Sequence, residues 1–219
     1  MQAQHPRPTI DPCIGKLDES LLKIEHGIRQ LQAAGGPVQH GLSLVTAGAV
    51  SLRRMVTKTR EIEQLQGQPM SSTLLDLERL ATQAIDAAKA ASGFTGIISV
   101  GKLGVVRADR ALLLAALREL VLNAIRFSNG TANARVDLEA FFEGAQKIIV
   151  VRDNGIGFHQ ADADHLFVPY ATLHRGSPRV GVGLGLVLVR AVAERHKGRV
   201  WARSSVKGHT EFFMSLPSP

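Results

Sequence analysis

The sequence has little of what characterises secreted or membrane proteins. Its 219 residues include one cysteine, Cys13, which cannot pair within the chain and favours a reducing compartment. The longest apolar stretch, Gly181 to Ala193, is interrupted by Arg190 and is shorter than the ~20 residues that a membrane span requires. Residues 1–16 are polar and proline-bearing, so no secretory signal is expected. We therefore expect a cytoplasmic protein without a membrane span.

Aromatic residues are also scarce, which argues against a nucleic-acid partner. Phe, Trp and Tyr make up 5% of the chain, and the basic residues are scattered instead of alternating with aromatics that stack on bases. The net charge of +7 therefore favours a generally basic surface, although a small polyanionic ligand is compatible with it. Glycine is the informative excess, because many of the 21 glycines lie in a few short stretches where backbone can approach a ligand.

Three segments of the chain differ in their pattern. Residues 1–16 carry three prolines and no apolar period, which predicts a disordered head. Residues 17–67 have apolar residues at helical spacing on both sides of a Gly-Gly-Pro stop at 35–37, which predicts an antiparallel helical hairpin. The exposed apolar stripe of such a hairpin favours docking on a second copy. A further break at 67–69 separates it from residues 72–217, where helical and strand patterns mix.

The mixed segment predicts three helices and six strands. We expect a helix capped by Ser72 or Thr73 that ends near Ala91, with Asp76 completing a capping box. The other expected elements are strands at 97–100 and 105–106, a helix from Asp109 to about Phe127, strands at 134–141 and 147–152, a helix from Gly183 to about 196, and strands at 199–204 and 210–216.

The helix beginning at Asp109 carries three polar groups on one line. Glu119, Asn123 and Arg126 follow at i, i+4 and i+7, so a carboxylate, an amide and a guanidinium lie one above the other. Such a set can hold a divalent cation and a phosphate chain. Taken alone, the pattern is more typical of a solvated polar stripe on an amphipathic helix.

Two glycine-rich turns offer backbone to a ligand. Asp153-Asn-Gly155-Ile-Gly157-Phe follows a strand and combines a hydrogen-bond acceptor with backbone that can pass close to a flat ligand. Gly181-Val-Gly183-Leu184-Gly185-Leu begins the last helix, where amides free of side chains form an anion site. No Gly-Lys-Ser/Thr follows, so this is not a P-loop, and its late position argues against a dinucleotide fingerprint. An ordinary glycine turn and tight helix packing are the alternatives.

The order and spacing of these elements resemble the histidine-kinase type of the ATPase superfamily that includes type II topoisomerases and mismatch-repair proteins. Residues 119–128 resemble its asparagine box, 153–158 and 181–186 its two glycine boxes, and Leu166-Phe167 its phenylalanine box. The tail at 198–217 resembles that of sensor kinases of the phytochrome group. The resemblance covers residues 72–217 and implies an α+β chain in which the helical hairpin precedes a two-layer α/β sandwich.

The resemblance also implies a role for each matching residue. Asn123 would coordinate magnesium on the ATP phosphates, Glu119 would position metal or water, and Arg126 would contact phosphate. Asp153 would accept the adenine amino group, with Thr210 supporting it through water. The other implied nucleotide contacts are Gly155, Gly157 and Phe167, then His174 and Arg175 of a lid at 168–180, and finally Gly181, Gly183, Leu184 and Gly185.

By position, the hairpin resembles the dimerisation and phosphotransfer domain of the same kinases. The segment from His26 to Leu31 supplies the histidine, apolar residue and arginine of the family motif, but it lacks the acid after the histidine and the proline. His26 is the candidate phosphoacceptor, and His40, next to the loop, is a weaker one.

The resemblance therefore implies a cytoplasmic, ATP-dependent histidine kinase core that is a homodimer through residues 17–66. His26 would take the γ-phosphate from magnesium-ATP and pass it to an aspartate of a response regulator, with the signal coming from a separate sensor protein. The departures around His26 keep open a dimeric phosphotransferase or ATP-binding regulatory protein that does not autophosphorylate. A DNA-associated ATPase would rest on the charge and the superfamily link alone.

Overall fold

The computed structural model describes residues 11–32, 38–173, 181–204 and 208–218. Two antiparallel helices come first, α1 (Asp11–Gln32) and α2 (Val38–Gly67). They approach closely at two glycines, since a Cβ on Gly27 would lie 2.5 Å from the Gly41 carbonyl oxygen and one on Gly48 2.8 Å from the Ser20 carbonyl oxygen. The predicted helical hairpin is therefore present.

The first helix begins earlier than expected. Residues 11–16 are helical, so the disordered head predicted for residues 1–16 does not extend over them, and its first ten residues lie outside the described part of the chain. The proline that suggested a loose segment, Pro12, falls in the first turn of α1. Proline is tolerated there because the first amides of a helix have no intrahelical partner.

The rest of the chain alternates strands and helices. In order these are β1 (Ser72–Asp76), α3 (Leu77–Ser92), β2 (Ile97–Val100), β3 (Val105–Asp109), α4 (Arg110–Ser128), β4 (Arg135–Glu143), β5 (Gln146–Asp153), a 3-10 helix (Gln160–Phe167), α5 (Gly185–Arg195), β6 (Val200–Ser204) and β7 (Thr210–Pro217).

The strands form a five-stranded sheet and a small ribbon. The large sheet has the order β2-β4-β5-β7-β6, with β2 and β4 parallel and the other neighbours antiparallel, and β1 pairs with β3 outside it. Residues of α3, α4 and α5 share one hydrophobic core with the inward side chains of the sheet, such as Leu138, Val151 and Met214. The result is the expected two-layer α/β sandwich after a helical hairpin.

One predicted helix start is instead a strand. Ser72–Asp76 pairs antiparallel with β3, from Ser72 opposite Asp109 to Asp76 opposite Val105. Asp76 then caps α3, because its Oδ1 accepts a hydrogen bond from the Arg79 amide at 3.0 Å. The expected Ser72 or Thr73 cap is therefore wrong, whereas the expected Asp109 cap of α4 is confirmed by bonds from the Ala111 and Leu112 amides.

The second half of α2 docks on the sandwich. Ile62 and Leu65 pack against its core, and the Arg195 guanidinium donates a hydrogen bond to the Gln68 carbonyl oxygen. Lys58 of α2 also forms an ion pair with Glu119 of α4, with 2.6 Å between Nζ and Oε1. This docking leaves a cavity between α2, α4 and the two glycine-rich turns.

Candidate functional site

The cavity has a volume of about 570 Å³, within the range of about 300–1,000 Å³ that is typical of small-molecule sites. Most of the residues singled out in the sequence line it: Glu119, Asn123, Arg126, Asp153, Gly157, Gly181, Gly183, Leu184, Gly185 and Thr210. Gly155, Phe167 and His26 do not line it. His174 and Arg175 lie outside the described residues.

At one end of the cavity, Asp153 carries an acceptor atom without a partner. The residue is 2% exposed and its Oδ1 accepts a hydrogen bond from the Gly155 amide at 2.9 Å. Its Oδ2 is buried and bonds to nothing in the part of the chain that the structure describes. Burial raises the pKa of Asp153 to about 7, while the Gly155 amide acts in the opposite direction. A ligand with a hydrogen-bond donor at this point would satisfy Oδ2.

Thr210 stands beside Asp153 and ends a short polar chain. The two residues are opposite each other in the β5 and β7 ladder. The Thr210 hydroxyl lies 3.1 Å from the Ser204 hydroxyl, whose oxygen also accepts a hydrogen bond from the Phe158 amide. Strand β7, strand β6 and the glycine turn are therefore joined at the wall that holds Asp153.

The first glycine turn fits closely over the end of α4. A Cβ on Gly155 would lie 2.4 Å from the Phe127 carbonyl oxygen, so only glycine fits there. Gly155 thus supports the turn by packing and does not reach the cavity. Gly157, which does line the cavity, has a φ of +65°, in the left-handed region that glycine adopts without strain.

At the other end, the second glycine segment passes directly over the polar line of α4. A Cβ on Gly181 would lie 2.6 Å from Arg126 Nη1, and one on Gly185 would lie 2.6 Å from Glu119 Oε2. Helix α5 begins at Gly185, two residues later than expected, and residues 181–185 form the cavity wall at its N-terminus. Free amides at a helix N-terminus bind anions, so this end suits phosphate.

Helix α2 supplies a wall of the cavity that sequence reasoning missed. Arg53, Arg54, Thr57, Lys58 and Glu61 all line it. Lys58 lies between Glu119 and Glu61, with Nζ 2.6 Å and 2.8 Å from their carboxylate oxygens. The sequence does not show that α2 docks on α4, because this contact forms only in the tertiary structure. The one sequence feature that could have indicated a polar wall is the spacing of positions 54, 58 and 61, which places them on one face of the helix at i, i+4 and i+7.

Arg126 lies in a cationic part of the cavity. Desolvation lowers the pKa of its guanidinium, the positive charge of Arg54 lowers it further, and Glu119 acts in the opposite direction. Glu119 is itself engaged by Lys58 and, at 3.4 Å, by Arg118. Positive charge therefore collects where the glycine segment crosses α4.

The candidate phosphoacceptor His26 is exposed and distant from the cavity. Its neighbour Gly27 packs against Gly41 and Val45 of α2. Arg53, the first residue of α2 that lines the cavity, follows Val45 by eight residues on the same helix, a separation of about 12 Å at 1.5 Å per residue. His40, exposed near the start of α2, is farther still along the hairpin.

The predicted nucleotide contact Phe167 lies beside the cavity and not in its lining. Its side chain belongs to the hydrophobic core and is 7% exposed, while the preceding residue, Leu166, lines the cavity. Successive residues of a 3-10 helix point about 120° apart, so only one of the pair faces the cavity.

Comparison with known proteins places this geometry among ATPases. The family model described as "Histidine kinase-, DNA gyrase B-, and HSP90-like ATPase" matches residues 108–219. The phytochrome-like protein Cph1 of Synechocystis sp. is 22% identical over 191 residues, which are 87% of this chain and 25% of Cph1. The sensor-like histidine kinase SenX3 of Mycolicibacterium smegmatis is 31% identical over 176 residues, 76% of this chain and 44% of SenX3.

A solved structure shares the fold over nearly the whole chain. The histidine kinase ThkA, crystallised in complex with the response regulator protein TrrA, superposes with a TM-score of 0.72 at 15% identity, over 94% of this chain and 60% of that one.

The chain spans a quarter of the length of Cph1 and less than half of the length of SenX3. In the described part of the chain, no helix is both long and apolar enough to cross a bilayer.

Proposed function

Because the chain belongs to the histidine kinase-, DNA gyrase B- and HSP90-like ATPase family and has the ATPase core of sensor histidine kinases, we propose that it is an ATP-dependent protein histidine kinase. In this proposal residues 72–217 bind magnesium-ATP, and residues 17–67 form the dimerisation and phosphotransfer region. The observation that carries the proposal is the buried Asp153 carboxylate, whose Oδ2 has no partner among the described residues.

The cavity suits adenine at the Asp153 end. The adenine amino group would donate to Asp153 Oδ2, and Thr210 lies beside this point, where it can hold a bridging water. Phe158 and Phe212, which also line the cavity, offer apolar surface to the ring. A purine with a carbonyl in place of the amino group would leave two acceptors facing each other, and such mispairing is strongly unfavourable in a buried site.

The opposite end suits the phosphates and a magnesium ion. Glu119 and Asn123 lie one helical turn apart on α4 and offer oxygen ligands, and no group of three or more His, Cys, Asp or Glu side chains suited to a metal occurs among the described residues. This set fits Mg²⁺, which is usually held by one or two protein ligands together with substrate phosphates. When bound there, the ion would neutralise phosphate charge during transfer. Arg126 and the amides of residues 181–185 would hold the phosphate oxygens.

The reaction that we propose is transfer to His26. A neutral imidazole nitrogen attacks the γ-phosphorus, the bond from phosphorus to the bridging oxygen breaks, and ADP leaves with that oxygen. The phosphoryl group then passes to an aspartate of a response regulator, a partner class supported by the ThkA and TrrA complex. Since the cavity begins on α2 about 12 Å along the helix from the level of His26, the sandwich must move along α2 before transfer.

The same distance favours a second candidate. A dimeric phosphotransferase or an ATP-binding regulatory protein of this fold would need the nucleotide site but no approach of the cavity to His26. The missing acid and proline beside His26 point in the same direction. In both candidates the input comes from a separate sensor protein and residues 17–66 form the homodimer interface.

Labelling with γ-³²P-ATP and Mg²⁺ tests the kinase and separates the two candidates. We expect acid-labile, alkali-stable label on the wild type, loss of label in His26→Gln and full label in the control His40→Gln. Label that survives in His26→Gln would contradict the phosphoacceptor assignment. ATP binding without any label in the wild type would favour the regulatory protein, and absence of ATP binding would contradict both candidates.

A further inference from the structure

We propose that Arg53 and Arg54 of α2 bind the terminal phosphates of the nucleotide, so that the hairpin completes the site and selects a nucleoside triphosphate over shorter nucleotides. The inference rests on the proposed binding of ATP in the cavity. It assigns a ligand contact to the hairpin, outside the residues 108–219 that match the ATPase family.

The two helices place these arginines at the phosphate end. Helices α2 and α4 run antiparallel along the cavity, because Lys58 meets Glu119 while Arg54, one turn earlier, lies close enough to Arg126 to lower its pKa. Arg126 is also the side chain over which the second glycine segment passes, since a Cβ on Gly181 would lie 2.6 Å from its Nη1. Phosphates bound to the amides of residues 181–185 would therefore lie beside Arg126 and the arginines of α2.

The charges of the cavity leave these arginines unneutralised. Among the acidic residues that line it, Glu61 and Glu119 are engaged by Lys58 and Arg118, with separations of 2.6 to 3.4 Å. Asp153 lies at the other end. In the described part of the chain, Arg53, Arg54 and Arg126 form no ion pair, although all three line one cavity. Three guanidinium groups without an ion-pair partner in one cavity favour a polyanion, and arginine is well suited to phosphate.

The positions of Arg53 and Arg54 predict which phosphate of the nucleotide they bind. Arg126 and the amides of residues 181–185 belong to the sandwich and would hold the phosphates nearest the sugar, whereas Arg53 and Arg54 belong to the hairpin and would reach the last phosphate. A third phosphate would then bind the sandwich and the hairpin together. Loss of that phosphate would remove the contact to α2, so hydrolysis or transfer would loosen the docking of the two parts.

Titration of ATP, ADP and AMP by calorimetry tests the proposal. The test variant is the double substitution Arg53→Gln/Arg54→Gln, and the control is Arg60→Gln, which removes one positive charge of the same kind from an exposed position of α2 outside the cavity. We expect the double variant to bind ATP at least tenfold more weakly, with ADP and AMP affinities within about twofold of wild type, because charge-assisted hydrogen bonds are lost only for the triphosphate. The control should bind all three like the wild type.

Two results would contradict this role of the arginines without contradicting the proposed function as an ATP-binding protein. The first is unchanged ATP affinity in the double variant, in a titration series where Asp153→Asn binds all three nucleotides more weakly. The second is an equal loss of ATP, ADP and AMP, which would indicate a structural effect of the arginines. Failure of the wild type to bind any adenine nucleotide would instead contradict the proposed function, and the inference with it.

Discussion

At the scale of single residues, Asp153 is the most informative position of the chain. Its carboxylate is buried at a strand end, one oxygen is held by the turn that follows, and the other has no partner among the described residues. A buried acceptor without a partner costs about 1–3 kcal/mol, and a bound ligand that donates to it recovers this energy. The sequence motif located this residue, but only the structure reveals which oxygen is available.

The raised pKa of Asp153 predicts a pH-dependent stability. Between the ordinary value of 3.8 and about 7 the folded protein holds a proton that the unfolded chain has lost, so its stability falls as pH rises through this interval. Relative to Asp153→Asn, the free energy of unfolding of the wild type should fall by roughly 4 kcal/mol at most between pH 4 and 7.5 and then level off. Urea unfolding of both proteins across this range measures the difference, and parallel curves would contradict the assignment.

Residue identity alone could not separate Leu166 from Phe167, or predict which groups of the glycine turns face the ligand. Phe167 is the larger residue of the pair, yet it packs in the core while Leu166 lines the cavity. Gly155 matches the motif as well as Gly157 does, but it serves the packing on Phe127. Such differences depend on the direction of a single side chain, which periodicity does not fix in a short 3-10 helix or a turn.

At the scale of elements, the segment 181–185 shows how glycine shapes the site. Gly183 has a φ of +78°, and a Cβ there would lie 2.7 Å from the Ala171 carbonyl oxygen. Gly181 differs, because the nearest atom to its Cβ would be the end of the flexible Arg126 side chain. Gly183 is therefore constrained by fixed backbone, whereas Gly181 is constrained only by a side chain that can move.

Two alanine variants should separate these constraints. Gly183→Ala combines a left-handed conformation, which costs about 1–2 kcal/mol, with contacts to fixed backbone, so we expect a loss of more than about 2 kcal/mol in unfolding free energy. Gly181→Ala should change stability by less than about 0.5 kcal/mol and weaken ATP binding several-fold through displaced Arg126. Urea unfolding and calorimetry measure both effects, and equal destabilisation by the two substitutions would argue against this account.

Elements with local signals were the easiest to predict. Asp109 caps α4 as its sequence indicated, and β4 and β5 follow the expected alternation with slightly longer bounds. Strand β1 was missed because Ser72 and Thr73 are good helix caps, and what makes the segment a strand is pairing with β3 about 30 residues later. Lys58 and its neighbours were missed for the same reason, since their role arises from the docking of α2 on α4.

At the scale of the whole molecule, the hairpin leaves apolar surface uncovered. Large apolar side chains of α1 and α2 are between 42% and 58% exposed: Leu21, Leu22, Ile28, Leu42, Val50 and Val56. A helical pair with such a stripe is stabilised by a second copy, which would give a four-helix arrangement. This surface supports the proposed homodimer through residues 17–66.

Sedimentation analysis provides the test of that dimer. We expect a particle of twice the chain mass of 23.5 kDa, and a monomer for Leu42→Glu/Val50→Glu, because the two side chains lie two turns apart on α2. Leu74→Glu is the matched control, since this side chain is 56% exposed but lies on β1. A monomeric wild type at tens of micromolar, or dissociation of the control alone, would contradict the prediction.

The central claim is that the cavity between the hairpin and the sandwich selects adenine nucleotides through Asp153. Calorimetric titration of the wild type with ATP and GTP at pH 8.5, above the pKa of about 7 so that the Asp153 carboxylate only accepts hydrogen bonds, tests it most directly when repeated with Asp153→Asn. We expect ATP to bind at least a hundredfold more tightly than GTP, since guanine has a carbonyl where adenine donates from its amino group, and we expect the variant to lose this preference. Equal affinity for the two nucleotides, or undiminished ATP binding in Asp153→Asn, would contradict the account.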